Sequence, residues 1–187
     1  MNGRLSKVSP RLPVAPPRFG ATVPSHRFVR QTRSRPVVAS ALVVPPEYGY
    51  VVATVGFGVA VCQWMMFGVV KARVAIGLKY PAMFAEGDSE EEKKYNCTQR
   101  AHQNTLENAP MFTVMIAVLG LVRPIVASTL GTVYFLARIV YFLGYSSGDI
   151  QKRTPGSLLS FFTLIGTMAF SIFTGIQVAG SIAPVAV

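Results

Sequence analysis

The sequence predicts an all-α protein, an integral membrane bundle of four antiparallel helices. Of its 187 residues, 51% are hydrophobic and 14% are charged, whereas ordinary soluble domains carry about 25% charged residues. Uncharged runs long enough to cross a bilayer recur along the chain, and the polar links between them are short. Short links favour antiparallel neighbours, and in lipid a helix satisfies its own backbone groups.

The first span is predicted at residues 48–70, which carry no formal charge. At 1.5 Å per residue, such a helix crosses a hydrocarbon layer of about 30 Å. Lys71 and Arg73 follow it and mark the membrane interface. Residues 74–95 are expected to form a polar connection in which the acidic run 90–92 is exposed to solvent.

The same reasoning predicts the other spans, at residues 95–122, at 125–145 and, over about 22 residues, within the uncharged stretch 156–187. Pro110 is expected to kink the second span, because proline has no backbone N–H to donate. Arg123-Pro124 predicts a tight turn before the third span, in which Arg138 is the single charged residue.

Residues 1–46 are predicted to be a separate, disordered segment ahead of a membrane domain at 47–187. They hold eight prolines, and residues 1–40 hold eight Lys or Arg with no Asp or Glu. Such a stretch cannot build a core, and it has the composition of an organellar transit peptide; an unprocessed tail is the alternative. The rest of the chain carries ten basic and eight acidic side chains, which argues against a nucleic-acid binder.

The basic residues of the membrane domain predict its orientation. One side of the membrane receives eight of them: Lys71, Arg73, Lys79, Lys93, Lys94, Arg100, Lys152 and Arg153. The opposite link has only Arg123, so the positive-inside rule places the eight-charge side in the cytosol. The basic N-terminal segment would offset this bias unless it is removed.

No metal or redox site is indicated by the cysteines. Cys62 and Cys97 are the only two, and neither belongs to a CxxC pair or a zinc-type cluster of His and Cys. We therefore expect two packed thiols and no metal cofactor.

A polar stripe opens the second span. Arg100, Asn104 and Glu107 stand at i, i+4 and i+7, which places them on one face of a helix. Polar side chains so close to a membrane span are costly unless they have a function. An anion clamp, an amide and a carboxylate together suit a small zwitterionic ligand.

A second polar face follows on the third span, and the predicted topology brings it to the same end. Its members are Tyr134, Arg138, Tyr141 and Tyr145, with Arg153 in the loop beyond. Alone, the tyrosines would be interface anchors, and Arg138 a buried ion paired with Glu107. Together the two faces indicate one basic, aromatic pocket at a membrane surface.

These residues carry a resemblance to a known family. Residues 99–107 (QRAHQNTLE), 71–73 (KAR) and 137–145 (ARIVYFLGY) resemble MAPEG proteins, the membrane-associated proteins of eicosanoid and glutathione metabolism, and most of all the branch of microsomal glutathione S-transferases of the third type. The resemblance covers roughly residues 47–178. It implies a homotrimer of four-helix subunits in the endoplasmic reticulum or nuclear envelope, with glutathione held between neighbouring subunits. The N-terminal segment favours a plastid or mitochondrial membrane instead.

The resemblance also implies roles for individual residues. Glutathione is expected to be bound by Arg73 of the adjacent chain and by Arg100, His102, Asn104, Glu107, Arg138, Tyr141 and Tyr145. Arg153 is expected to polarise the glutathione sulfur, with Lys152 as a substitute because the loop differs in length by one residue from the leukotriene-synthase branch. Val74 and His102 depart from residues common among relatives.

The function expected from the resemblance is therefore enzymatic. Glutathione, as co-substrate, is conjugated to lipophilic electrophiles, reduces lipid hydroperoxides, or forms leukotrienes as the leukotriene-synthase branch does. The alternative is a non-enzymatic member that presents lipid, of the five-lipoxygenase-activating kind. A structural bundle or transporter fragment ranks last, because no internal repeat or broken helix is evident.

Overall fold

The computed structural model describes residues 44–181, which form four long helices joined by short links. They are α1 (Tyr48–Ala75), α2 (Glu90–Gly120), α3 (Pro124–Ser146) and α4 (Thr154–Gly180), with a 3₁₀ turn at Ile150–Arg153 ahead of α4. No strand occurs within this range. The all-α prediction is confirmed for these residues, whereas the predicted disordered segment lies, up to residue 43, outside them.

Successive helices run antiparallel, as the short links predict. The start of α1 meets the end of α2, where the Tyr48 hydroxyl donates to the Ala117 carbonyl at 3.2 Å. The start of α1 also meets the start of α3, with Thr54 Oγ1 at 3.4 Å from the Ser128 carbonyl oxygen. The first turn of α4 packs on the last third of α3 through Gly156. The predicted site residues lie at the end of α1, the start of α2, the end of α3 and just before α4, and these four parts thus meet at one end of the bundle.

Aromatic rings of α2 and α3 form the centre of the core. Phe112 stacks on Tyr134 with 3.8 Å between ring centroids, and Phe135 packs edge-on against both. Gly58 lets α1 approach the Phe135 ring, because a Cβ there would overlap it. Such ring pairs add about 0.5–1.5 kcal/mol each beyond their buried area, which fixes α1, α2 and α3 against one another.

Three segments are long and apolar enough to cross a membrane: Tyr48–Ala75, Pro124–Ser146 and Ile150–Gly180. The prediction of four helices is confirmed for residues 44–181. The prediction that each is long and apolar enough to cross a membrane is confirmed for three of them. α2 differs because its first half carries the polar stripe. With 31 residues it is about 46 Å long, so crossing by its apolar second half stays a prediction.

α2 begins at Glu90, earlier than predicted, because Ser89 caps it. The Ser89 hydroxyl accepts from the Glu92 backbone N–H at 3.3 Å, and the Glu92 carboxylate accepts from the Ser89 N–H at 3.2 Å. The acidic run is therefore the first helical turn, where carboxylates favour the positive end of the helix dipole. The expected turn before Pro124 is present, and α2 continues through Pro110.

Candidate functional site

The polar stripe of α2 forms the exposed part of the site. Arg100 Nη1 lies 3.2 Å from Glu107 Oε1, and Asn104 Nδ2 lies 3.5 Å from Oε2 of the same carboxylate. About half of each charged side chain is exposed, 48% for Arg100 and 46% for Glu107. The predicted face therefore presents an accessible pair of opposite charges with an amide beside it.

Arg138 links this stripe to α3 from a buried position, with 4% of its surface exposed. Its Nη2 donates to Asn104 Oδ1 at 2.9 Å and to Thr105 Oγ1 at 2.6 Å, and its Nε donates to the same hydroxyl at 3.1 Å. The alternative raised by the sequence, a pairing of Arg138 with Glu107, does not occur. Glu107 pairs with Arg100, and the neutral side-chain oxygens of Asn104 and Thr105 accept from the buried guanidinium.

Two tyrosines continue from Arg138 toward the end of α3. The Arg138 guanidinium lies over the Tyr141 ring, 4.2 Å from its centroid, and the Tyr141 and Tyr145 centroids are 5.8 Å apart. Their i, i+4 spacing places the two rings one above the other. Arg153 lies over the Tyr145 ring at 4.8 Å. A cation–π contact of this kind holds a guanidinium in place while leaving its N–H donors for a ligand.

The link before α4 distinguishes Arg153 from Lys152. Asp149 caps the 3₁₀ turn by accepting from the Gln151 backbone N–H at 2.9 Å, which fixes the positions of the two following cations. Lys152 is exposed and lies 3.9 Å from the Asp149 carboxylate. Arg153 is half-buried against Tyr145. The turn thus directs Arg153 into the site and Lys152 out to solvent.

Arg73 stands apart from this network. Its Nη1 donates to the Ala82 carbonyl at 2.8 Å, and its guanidinium lies over the Tyr80 and Tyr95 rings at 4.5 and 5.5 Å. The hydroxyl of Tyr95 in turn donates to the Met83 carbonyl at 2.7 Å. Within the chain, Arg73 therefore fixes the link between α1 and α2.

His102 also stands apart, because it lies about 200° around α2 from Arg100. It faces α1 near the backbone of Cys62. The other predicted residues form one continuous network: Arg100, Glu107, Asn104, Arg138, Tyr141, Tyr145 and Arg153. Thr105 belongs to it too, and sequence reasoning missed it because a threonine in an apolar helix carries little signal.

The chemistry available in this network is ionic. Across residues 44–181, no group of three or more His, Cys, Asp or Glu side chains is placed to hold a metal ion. Cys62 and Cys97 are free thiols, both half-buried. The network instead offers a cation and a carboxylate at the surface, the buried cation of Arg138 beneath them, and a third cation, Arg153, against an aromatic ring. It is suited to bind a zwitterion and to stabilise one negative charge.

Comparisons with known proteins agree with this arrangement. Residues 51–173 match the sequence pattern of the MAPEG family. The chain is similar to Microsomal glutathione S-transferase 2 from Homo sapiens, with 32% identity over an alignment of 118 residues that covers 59% of this chain and 76% of that protein. The chain therefore belongs to the MAPEG family, as its sequence motifs predict. Together with the three apolar helices, this membership makes it a membrane protein.

Proposed function

We propose that this chain is a glutathione-dependent membrane enzyme that works through an arginine-stabilised glutathione thiolate. The observation that carries the proposal is the continuous network from Arg100 to Arg153, which collects three cations, a carboxylate and an amide at one end of the helices. The similarity to a protein named a microsomal glutathione S-transferase supports the same activity.

The exposed ion pair of α2 is proposed to bind the charged ends of glutathione. Glutathione carries two carboxylates and one ammonium group, so it needs an arginine fork for an acid and a carboxylate for the amine. Arg100 and Glu107 neutralise each other in the free chain and would exchange partners with the ligand. Arg138 orients the Asn104 amide between them, which helps to position the peptide of glutathione.

Arg153 is proposed to stabilise the reacting sulfur. The thiol of glutathione resembles a free cysteine, with a pKa of about 8.5, and only the thiolate attacks. A guanidinium within about 4–6 Å lowers such a pKa by about 1–3 units. A shift of two units corresponds to about 2.7 kcal/mol and makes the thiolate the main species at neutral pH. Tyr141 and Tyr145 line the path between the bound tripeptide and Arg153.

The second substrate is proposed to be a lipophilic molecule that arrives from the bilayer. Attack of the thiolate on an electrophilic carbon forms a C–S bond and breaks the bond from that carbon to its leaving group, which departs as an anion. In an epoxide the C–O bond breaks and the alkoxide takes up a proton, so that either reaction gives a conjugate. Attack on a lipid hydroperoxide breaks the O–O bond, and the released alkoxide takes up a proton to give the alcohol. The sulfenic acid left on sulfur then reacts with a second glutathione to give the disulfide and water. Leukotriene formation is the first of these reactions with an epoxide as the electrophile.

Assembly and location complete the proposal. The family resemblance supports a homotrimer, in which Arg73 and His102 would contact glutathione only across a subunit boundary, because neither reaches the network of its own chain. Within residues 44–181 the hydrogen-bond partners of the Arg73 guanidinium are the Ala82 carbonyl and the Tyr95 side chain, so N–H groups remain for that contact. The endoplasmic reticulum or nuclear envelope is the proposed location, and a plastid or mitochondrial membrane is the alternative raised by residues 1–46.

A titration of glutathione tests the proposal. The purified full-length chain in detergent is titrated at neutral pH while thiolate absorbance in the ultraviolet is recorded, and glutathione binding is measured separately by calorimetry. Wild type is expected to give a stoichiometric thiolate signal. Arg153→Met should lose the signal while still binding glutathione, because the binding charges lie on α2.

Lys152→Met is the matched control, since it removes the same charge one residue away from an exposed side chain. A full thiolate signal in Arg153→Met, or its loss in Lys152→Met alone, would show that the sulfur-activating cation has been wrongly assigned. Absence of glutathione binding at millimolar concentration would overturn the enzyme and favour the lipid-presenting function.

A further inference from the structure

A small polar pocket adjoins the network between α2, α3 and α4. Its volume is about 190 Å³, below the roughly 300 Å³ at which sites for drug-sized ligands begin. Polar side chains form most of its wall: Asn104, Asn108, Tyr134, Arg138, Ser157 and Ser160. A head group fits such a space, whereas a whole lipid or a tripeptide does not.

Arg138 gives this pocket a positive charge that no side chain of the described range neutralises. It forms no ion pair there, since its hydrogen bonds go to Asn104 and Thr105. None of those bonds uses Nη1; the Tyr141 side chain is a further hydrogen-bond partner of the guanidinium, so at least one N–H of Nη1 remains. The nearest carboxylate of the network, that of Glu107, is paired with Arg100. A buried arginine in a membrane helix normally has an anionic partner, and no carboxylate of residues 44–181 takes that role for Arg138.

The remaining groups of the wall favour an oxygen ligand. The side chain of Tyr134 is 1% exposed, and its hydroxyl has no hydrogen-bond partner among residues 44–181. A buried phenol without a partner is uncommon, and its O–H suits an acceptor oxygen. With the remaining N–H of Arg138, the pocket offers N–H and O–H groups to an anionic oxygen acid.

The position of the pocket indicates how such an acid arrives. Arg138 lies eight residues before the end of α3, which is about 12 Å along the helix axis and inside the hydrocarbon layer. Phe161 and Leu164 complete the wall on α4, and Phe161 is 54% exposed on the outer face of that helix. A ligand that enters there needs an apolar chain beside its acid group.

We infer that this pocket binds the carboxylate of an amphipathic lipid, with the guanidinium of Arg138 as the charge partner and the acyl chain leaving past Phe161. Carboxylate and guanidinium form strong, charge-assisted hydrogen bonds, and the remaining N–H of Nη1 can supply one. Glutathione also carries carboxylates, so a carboxylate for this pocket has two sources, a lipid and glutathione. The lipid is favoured because the pocket is small and edged by the apolar side chains of Phe161 and Leu164. Where the lipid is the second substrate, the inference rests on the proposed function and makes the enzyme selective for free acids over esters.

Calorimetric titration of the full-length chain with dodecanoate tests this inference, in neutral dodecyl maltoside micelles at about pH 8. Methyl dodecanoate is the comparison ligand, because it enters micelles as readily but has no charge. Dodecanoate should bind wild type at least about tenfold more tightly than the ester. Equal binding of acid and ester would overturn the inference.

Two variants locate the site. Arg138→Met should weaken dodecanoate by about tenfold or more, whereas Arg123→Met, the same change at the exposed far end of α3, should alter it by less than about twofold. Ser157→Leu fills the pocket from α4 without touching the hydrogen bonds of Arg138, so it tests the inference even if Arg138→Met does not fold. Undiminished dodecanoate binding in Ser157→Leu would overturn it.

The source of the carboxylate and the proposed function are tested in the same preparation. Dodecanoate affinity that is unchanged by saturating glutathione supports the lipid, whereas competition assigns the pocket to a glutathione carboxylate and overturns the lipid assignment. The thiolate titration reports the proposed function by itself. A normal thiolate signal without selective dodecanoate binding overturns only the inference of a lipid site. Selective dodecanoate binding without a thiolate signal overturns only the proposed enzymatic function.

Discussion

Replacing Thr105 with valine removes the acceptor on which the buried charge of Arg138 depends. The Thr105 side chain is fully buried, and its hydroxyl accepts from Arg138 Nη2 at 2.6 Å and Nε at 3.1 Å while donating to the Ala101 carbonyl at 2.9 Å. Valine has the same shape but leaves those donors unpaired. Hydrogen bonds to charged groups contribute about 1.5–3 kcal/mol, so a loss of that size is expected.

Thr167→Val is the matched control for this substitution. Thr167 is also fully buried in a helix, and its hydroxyl donates to the Thr163 carbonyl at 2.7 Å, but no cation of residues 44–181 donates to it. The difference between the two variants therefore isolates the Arg138 contacts. The apparent melting temperature in detergent, followed by circular dichroism at one scan rate, should be about 3–12 °C lower for Thr105→Val than for Thr167→Val.

A double variant checks the cause. If the unpaired guanidinium is responsible, Thr105→Val combined with Arg138→Met should be at least as stable as Thr105→Val alone, because the buried charge is gone. Equal melting temperatures for the two single variants would show that the hydrogen bonds between Arg138 and Thr105 do not stabilise the protein. A further drop in the double variant would show that Arg138 contributes through packing instead.

Three further predictions concern the ligand, the helix contacts and the start of α2. Glu107→Gln should weaken glutathione binding by about tenfold, as measured by calorimetry. The melting temperature should change little, because the exposed ion pair of Glu107 with Arg100 contributes only about 0–1 kcal/mol to stability. Gly156→Ala should destabilise the bundle by about 1–3 kcal/mol, because a Cβ there meets the α3 backbone. Gly166→Ala should stabilise it, because a Cβ there meets open space. Melting temperatures that change in the same direction in both variants would contradict the close contact of Gly156 with α3. Ser89→Ala should lose about 1 kcal/mol through the missing cap, and an unchanged melting curve would show that the capping box does not matter.

The predicted site could be found from spacing wherever its members share a helix face. Arg100, Asn104 and Glu107 follow the helical repeat, as do Tyr141 and Tyr145, so their grouping was visible in the sequence. The partner of Arg138 was not, because charge alone favours Glu107 and only the packing of α2 on α3 shows that Asn104 and Thr105 are nearer.

The same limit applies to residues that change role with tertiary contacts. Arg73 follows an apolar span, and by sequence it is an interface cation available to a ligand. In the structure it holds the Ala82 carbonyl and two tyrosine rings of the α1–α2 link. His102 lies within the polar segment, yet two residues along a helix turn it to the opposite side from Arg100. Family resemblance supplied both positions without supplying their contacts.

The lengths of the hydrophobic runs and the helical periodicity are local properties of the chain, so the class of fold, the family and the end of the bundle at which the polar residues meet follow from the sequence. Packing between helices settles which charges neutralise one another, that Arg153 rather than Lys152 stacks on Tyr145, and that Arg138 pairs with no carboxylate of residues 44–181 in its pocket of three helices. Those outcomes depend on distances of a few ångströms between side chains on different helices. Helix–helix packing sets such distances, and spacing along the chain does not.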